Sequence, residues 1–161
     1  MTSSILLSKY SNIGYAIAGR LAGILALSVC LLGAPAADDA PLKDIVVHAS
    51  GFVHDRGQAV ASLFREGQDI FGKPFARVAT KVDRGTATFV FPGMPHGNYA
   101  VTVFHDENGN NDLDHNFLNM PAEPLGFSNG FKLSLFSGMP SFEKLRFTFG
   151  AETKPQEISV K

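Results

Sequence analysis

Between Asp106 and Asp114 the chain carries an oxygen-bearing side chain at every second position: Asp106, Asn108, Asn110, Asp112 and Asp114. Carboxylates and carboxamides are the hard oxygen donors that calcium collects in numbers, and Gly109 frees the backbone to curl them around one centre. The stretch therefore reads as a calcium-type loop with these residues as its metal ligands, Asp114 supplying the late carboxylate. In an EF-hand the donors at positions 1, 3 and 5 are followed by glycine at 6 and a bidentate glutamate at 12. Here Gly109 falls earlier than that glycine, Phe117 stands where the glutamate would be, and no flanking helix pattern is present, so an EF-hand is excluded. The same residues have a second reading. Asn and Asp also cap tight turns by bonding their own backbone, with no ion involved. Carboxylates packed this closely repel one another, however, and a divalent cation removes that cost. Calcium sites of extracellular modules bind at around 10⁻⁴–10⁻³ M, and modest affinity is expected here.

His105 and His115 bracket this loop, while His48, His54 and His96 lie elsewhere. His105, Asp106, Asp112, Asp114 and His115 together define the alternative: a metal-dependent enzyme or metal-handling protein built around zinc or copper. Their spacing matches no established ligand motif, and a histidine at a strand end is more often a hydrogen-bonded surface residue. Gly126-Phe127-Ser128-Asn129-Gly130 has the G-x-S-x-G form of a nucleophile elbow. That elbow needs a strand before it, a helix after it and a histidine later in the chain, and no histidine follows Ser128. No catalytic residue is assigned, and the protein is read as non-enzymatic.

The elements that would position the loop are strands. Tyr99 to His105 is β-branched and aromatic and runs straight into Asp106. Upstream, Ile45, Val47, Ala49, Gly51 and Val53 alternate with more polar neighbours, and Val60 to Phe64 is apolar enough for a central strand. Arg77–Val82 and Thr86–Phe91 flank Asp83-Arg84-Gly85, which predicts a hairpin with a left-handed glycine. Pro92 to Gly97 is a corner rich in Pro and Gly, and Gln68 to Phe75 is a loop. From His115 to Gly130 an ordered loop is expected, pinned to the body by Phe117, Leu118, Leu125 and Phe127. Leu145, Phe147 and Phe149 alternate with Lys144, Arg146 and Thr148 as a strand, and Ile158 and Val160 continue the pattern in the tail. Phe64, Phe71, Phe75 and Phe142 are assigned to the core rather than to a sugar-binding face. About seven short strands with no amphipathic helix predict an all-β fold, a single antiparallel β-sandwich.

Ahead of that domain, Lys9 and Arg20 form a basic, acid-free leader, Leu21 to Leu32 is apolar, and Ala34-Pro35-Ala36 has the form of a cleavage site. Residues 1–37 are read as a signal peptide and 38–161 as one sandwich domain, which implies a periplasmic or secreted protein. The apolar run is short of the roughly 20 residues of a membrane span, so no transmembrane segment is expected after processing. Cys30, the single cysteine, lies in that leader; Leu27-Ser28-Val29-Cys30 loosely resembles a lipobox, but Val29 is too large for the processing enzyme. With Cys30 removed, the mature chain has no thiol to form a disulfide or ligate a metal. The balance of 15 acidic against 14 basic residues excludes nucleic acid as a partner on charge grounds. A protein or envelope partner is not specified by the sequence.

The run Gly97 to Gly130, with Ala100–Asn110, Gly126–Asn129 and Ser141–Glu143 as its most specific pieces, resembles the bacterial family known as domain of unknown function 2141. That resemblance, over Ile45 to Phe149, implies a small exported protein and brings no catalytic residues with it. The corner and strand Phe91 to Asp106 are more loosely similar to transthyretin-like and carboxypeptidase-regulatory-like sandwiches, which are mostly accessory modules. A transthyretin- or immunoglobulin-like sandwich with a binding or envelope-structural role is the resulting expectation. A carbohydrate- or lipid-binding module with an apolar pocket between its sheets is a further alternative.

Overall fold

A computed structural model describes residues 41–118, 120–134 and 136–161. The expected signal peptide, its cleavage site and Cys30 lie outside the described residues. In chain order these form β1 (Lys43–Ser50), β2 (Gln58–Arg65), β3 (Ala76–Thr80), β4 (Thr86–Met94), β5 (Gly97–Asp106), β6 (Leu125–Phe127), α1 (Phe142–Leu145), β7 (Phe147–Phe149) and β8 (Gln156–Ser159).

Alternating side chains point to opposite faces of a strand, and this sets the first sheet. Ile45, Val47 and Ala49 of β1 and Ala87, Phe89 and Phe91 of β4 are buried, while Thr86, Thr88 and Val90 face outward. β1 pairs antiparallel with β4, Val47 opposite Phe89, and a register shift between Lys43 and Ile45 absorbs one irregularity. On its other side β1 pairs with β8 in parallel, Ala49 opposite Ile158. The expectation of a wholly antiparallel sandwich therefore fails at this strand, because the tail returns along β1 in the same direction instead of through a hairpin.

The second sheet has the order β3-β2-β5-β6, with β7 also on β5. β2 pairs along its whole length with one edge of β5, from Gln58 opposite Asp106 to Arg65 opposite Tyr99. The other edge is shared, β7 taking Gly97–Tyr99 and β6 taking Thr102–Phe104. The inner faces of the two sheets meet in one core that includes Val47, Phe89 and Phe91 from the first and Leu63, Val101 and Val103 from the second. Phe89 alone, fully buried, contributes about 1.5–3 kcal/mol by leaving water. The outer face of the second sheet is covered as well, by a cluster of Phe64, Ile70, Ala100, Phe127, Phe142 and Leu145. Burial on both faces explains why β2 reads as an almost continuous apolar run instead of an alternating one.

Four sequence expectations change here. Asp83-Arg84-Gly85 does not close a hairpin, since β3 pairs with β2 and β4 pairs with β1, in different sheets. The turn is clamped instead to the β1–β2 connection: Asp55 accepts the N–H groups of Arg84 (3.0 Å) and Gly85 (2.9 Å), and Gly85 O accepts from Gly51 and Phe52. Phe117 and Leu118 do not pin the long loop; they are exposed, and Leu125 and Phe127 do that work through β6. Phe71 and Phe75 are exposed too, Phe75 lying under the Arg65 guanidinium at 3.4 Å, while Phe64 and Phe142 are buried. Leu145 is buried by the single turn of α1, not by a strand, because Phe142 and Leu145 fall on one helical face.

Candidate functional site

The end of β5 is where polar groups enter the interior. His105 and Asp106 are both fully buried, and the next residue, Glu107, is exposed. The approach of the β1–β2 connection makes this possible. Gly57 sits at φ +72° against the backbone of Asp106 and Glu107, and a Cβ there would overlap the Asp106 carbonyl. Only glycine meets both demands, the left-handed conformation and the close contact.

Asp106 organises the loop. Its Oδ1 accepts the N–H groups of Gly109 (2.8 Å) and Asn110 (3.1 Å), and its Oδ2 accepts the N–H of Asn111 (2.8 Å) and the Gln58 amide (2.7 Å). These fill the four acceptor sites of a carboxylate. Burial pushes the Asp106 carboxyl up, but the Gln58 amide and the N–H groups of Asn111, Gly109 and Asn110 outweigh it and hold the group below its ordinary value. Counting Asp106 as the first position, Asn111 is the sixth, where calcium loops turn sharply on glycine. Asn111 takes that left-handed turn itself, at φ 63°, a conformation asparagine tolerates better than most residues.

An outer layer sits on this frame. Asn108 Oδ1 accepts the N–H of Asn110 (2.9 Å), and Asn110 Oδ1 accepts the N–H of Asp112 (2.7 Å). The carboxamide nitrogens of Asn108 and Asn110 donate to the two oxygens of Asp114 at 2.6 and 3.1 Å. Asn108, Asn110 and Asp114 thus converge, each oxygen retaining an unused lone pair, and Asp112 is exposed beside them. Glu123 ties the ends of the loop together by accepting the N–H groups of Glu107 (3.1 Å) and Asp114 (3.2 Å). Gln58, Glu123 and Arg77, whose guanidinium donates to Asn111 O at 3.1 Å, have no signature in the sequence. They reach the loop from remote positions, and local spacing carries no trace of that.

The histidines regroup. His115 is exposed and its backbone bridges to Pro121, whereas His105 packs against Phe52 and His54 with ring centroids at 5.2 and 4.8 Å. His54, absent from the sequence-based metal set, joins His105 and Glu107 in a cluster whose ligand atoms all lie within 4.8 Å of one another. Ser128 is committed elsewhere: its hydroxyl donates to Leu145 O (2.6 Å) and accepts the N–H of Val101 (2.9 Å), stapling β5 to the end of α1.

Two packed sheets, an acid-centred loop and a buried histidine beside it define a β-sandwich-like domain with its polar chemistry gathered at one strand end. By sequence the chain belongs to the family described as uncharacterized protein conserved in bacteria, domain of unknown function 2141, whose model matches residues 47–157. The match spans every site residue named above. No curated protein and no solved structure matches the chain. Among the described residues, no helix is long and apolar enough to cross a membrane.

Proposed function

We propose that this protein is an exported, non-catalytic β-sandwich module of the periplasm or the cell exterior, with a binding or envelope-structural role, whose 106–114 loop is stiffened by calcium. The observation that carries the calcium reading is the convergence of Asn108 and Asn110 on the Asp114 carboxylate, with lone pairs left over and Asp112 free beside them. Asn108, Asn110, Asp112 and Asp114 supply the ligand oxygens, the amide nitrogens of Asn108 and Asn110 giving way to the ion at the Asp114 carboxylate. Asp106 holds their backbone from beneath, its own acceptor sites taken by Gly109, Asn110, Asn111 and Gln58. Export rests on the leader; a mature N-terminus near Asp38 in the exported fraction is the expected result of N-terminal sequencing, and intact cytoplasmic protein contradicts it.

The transthyretin-like corner at Phe91–Asp106 fits an accessory module and supports no reaction by itself. A sugar or lipid site between the sheets has less support, since their inner faces meet in buried side chains. A cleft of about 350 Å³ lies instead along β6, β8 and the 120–133 segment.

Thermal unfolding with calcium and with chelator tests the ion directly. A ligand that binds only the folded state stabilises it, by about 1.4 kcal/mol at tenfold excess over Kd. The expected outcome is a calcium-dependent rise in Tm that an Asp112→Asn, Asp114→Asn double variant loses. Identical midpoints at millimolar calcium would reduce the loop to an Asx-capped turn.

A further inference from the structure

We infer that His54, His105 and Glu107 form a second ion site, for a divalent transition metal of the zinc type, separate from the oxygens of the 106–114 loop. His105 Nε2 lies 2.8 Å from Arg56 O. A carbonyl only accepts, so Nε2 carries a proton in this bond, and Nδ1 is the ring atom left to serve as a ligand, on the side away from it. Nδ1 is buried and has no hydrogen-bond partner. Buried polar atoms are paired in the great majority of cases, and an orphan on a fully buried imidazole calls for a reason. The atom facing it is Glu107 Oε1, at 3.9 Å, too long for a hydrogen bond. The same Oε1 lies 3.4 Å from His54 Nε2.

The 3.4 and 3.9 Å separations at Glu107 Oε1 suit a shared ion better than direct bonds, and the cluster, whose ligand atoms lie within 4.8 Å, draws in through the partly exposed His54 and Glu107 side chains as an ion binds. Ligands at about 2.1 Å from a tetrahedral zinc stand roughly 3.4 Å from one another, and two imidazoles with one glutamate are an established ligand set that leaves a fourth position open. The Arg56 carbonyl on Nε2 is the outer partner that fixes the tautomer and orientation of a ligating histidine. Phe52 closes one side of the His105 ring, edge to face. The open side is where His54 and Glu107 reach the surface, their side chains 27% and 43% exposed. Imidazole nitrogen selects zinc-like metals over calcium, which is left to the oxygen loop. One competitor is present: the Arg56 guanidinium lies 3.1 Å from His54 Nε2. It is on an exposed side chain, and an arriving cation must displace it.

The test is zinc titration of the chelator-stripped full chain by calorimetry, with calcium in excess so that any loop site is already occupied. One zinc per chain is expected, with affinity lowered at least tenfold in both His54→Ala and Glu107→Gln and raised in Arg56→Ala. Cobalt in place of zinc is expected to give the strong visible absorption of a four-coordinate site, lost in His54→Ala, with circular dichroism showing that each variant folds. No stoichiometric uptake by the wild type, unchanged uptake in both ligand variants, or uptake lost in His115→Ala in their place would each overturn the assignment. Because calcium is held constant, failure of this site and failure of the loop reading are distinguishable.

Discussion

His105 and Asp106 are adjacent, equally buried, and opposite in how their polar atoms are used. Asp106 has every acceptor site taken by the chain's own donors, whereas His105 has one nitrogen satisfied and the other unpaired in the interior. Buried polar groups are costly unless paired, so a fully paired one is read as architecture. An incompletely paired one in a cluster of potential ligands points to something that completes it. Strand alternation places the two residues on opposite sides of β5, which is how one strand end builds a loop on one side and gathers the His54 and His105 imidazoles on the other.

If that contrast is right, removing Asp106 should be far more damaging than removing the histidine cluster. Asp106→Ala strands the part-buried N–H groups of Gly109 and Asn111, while Asn110 N–H keeps Asn108 Oδ1 and the Gln58 amide keeps Asn111 Oδ1, and an unpaired donor away from water costs about 1–3 kcal/mol. The expected loss is roughly 2 kcal/mol or more in chemical denaturation; a loss comparable to an ordinary surface substitution would show that the loop is not built on this acid.

Gly57→Ala should come next. The left-handed backbone costs an alanine about 1 kcal/mol or more, and the Cβ overlap with the Asp106 carbonyl adds to it. Its particular signature is that it moves the connection carrying Arg56 O away from His105, so zinc uptake and stability should fall together. A variant that unfolds more easily yet binds zinc normally would separate the two regions more completely than the structure implies.

His54→Ala and Glu107→Gln should be the mildest, each within about 1 kcal/mol of wild type in metal-free protein, since neither strands a buried donor. A large loss in the absence of metal would make the cluster structural and erase the contrast with Asp106.

The parts of the molecule legible in the sequence are those governed by local patterns. The alternation of Ile45, Val47 and Ala49 and of Ala87, Phe89 and Phe91 marks half-buried strands because one face of the first sheet is wet. Tyr99 to Asp106 reads as a strand delivering a loop for the same local reason. Pairing is not local, and there the reading failed. Asp83-Arg84-Gly85 has hairpin chemistry, yet its strands find partners in different sheets because β1 and β2 each offer a longer ladder. The site divides along the same line. Asp106 to Asp114 announces itself by spacing, while Gln58, Glu123 and His54 are single unremarkable residues brought in by the fold. Phe117 and Leu118 show the converse, since apolar character alone does not bring a residue into the core.

The most direct measurement is anomalous diffraction from one crystal grown with both calcium and zinc, with data collected on each side of the zinc edge. The expected map has a zinc peak between His54 Nε2, His105 Nδ1 and Glu107 Oε1, and a separate peak without the zinc signal among Asn108, Asn110, Asp112 and Asp114. A zinc peak in the loop, or an empty histidine cluster, would contradict the account that Asp106 builds and His105 binds.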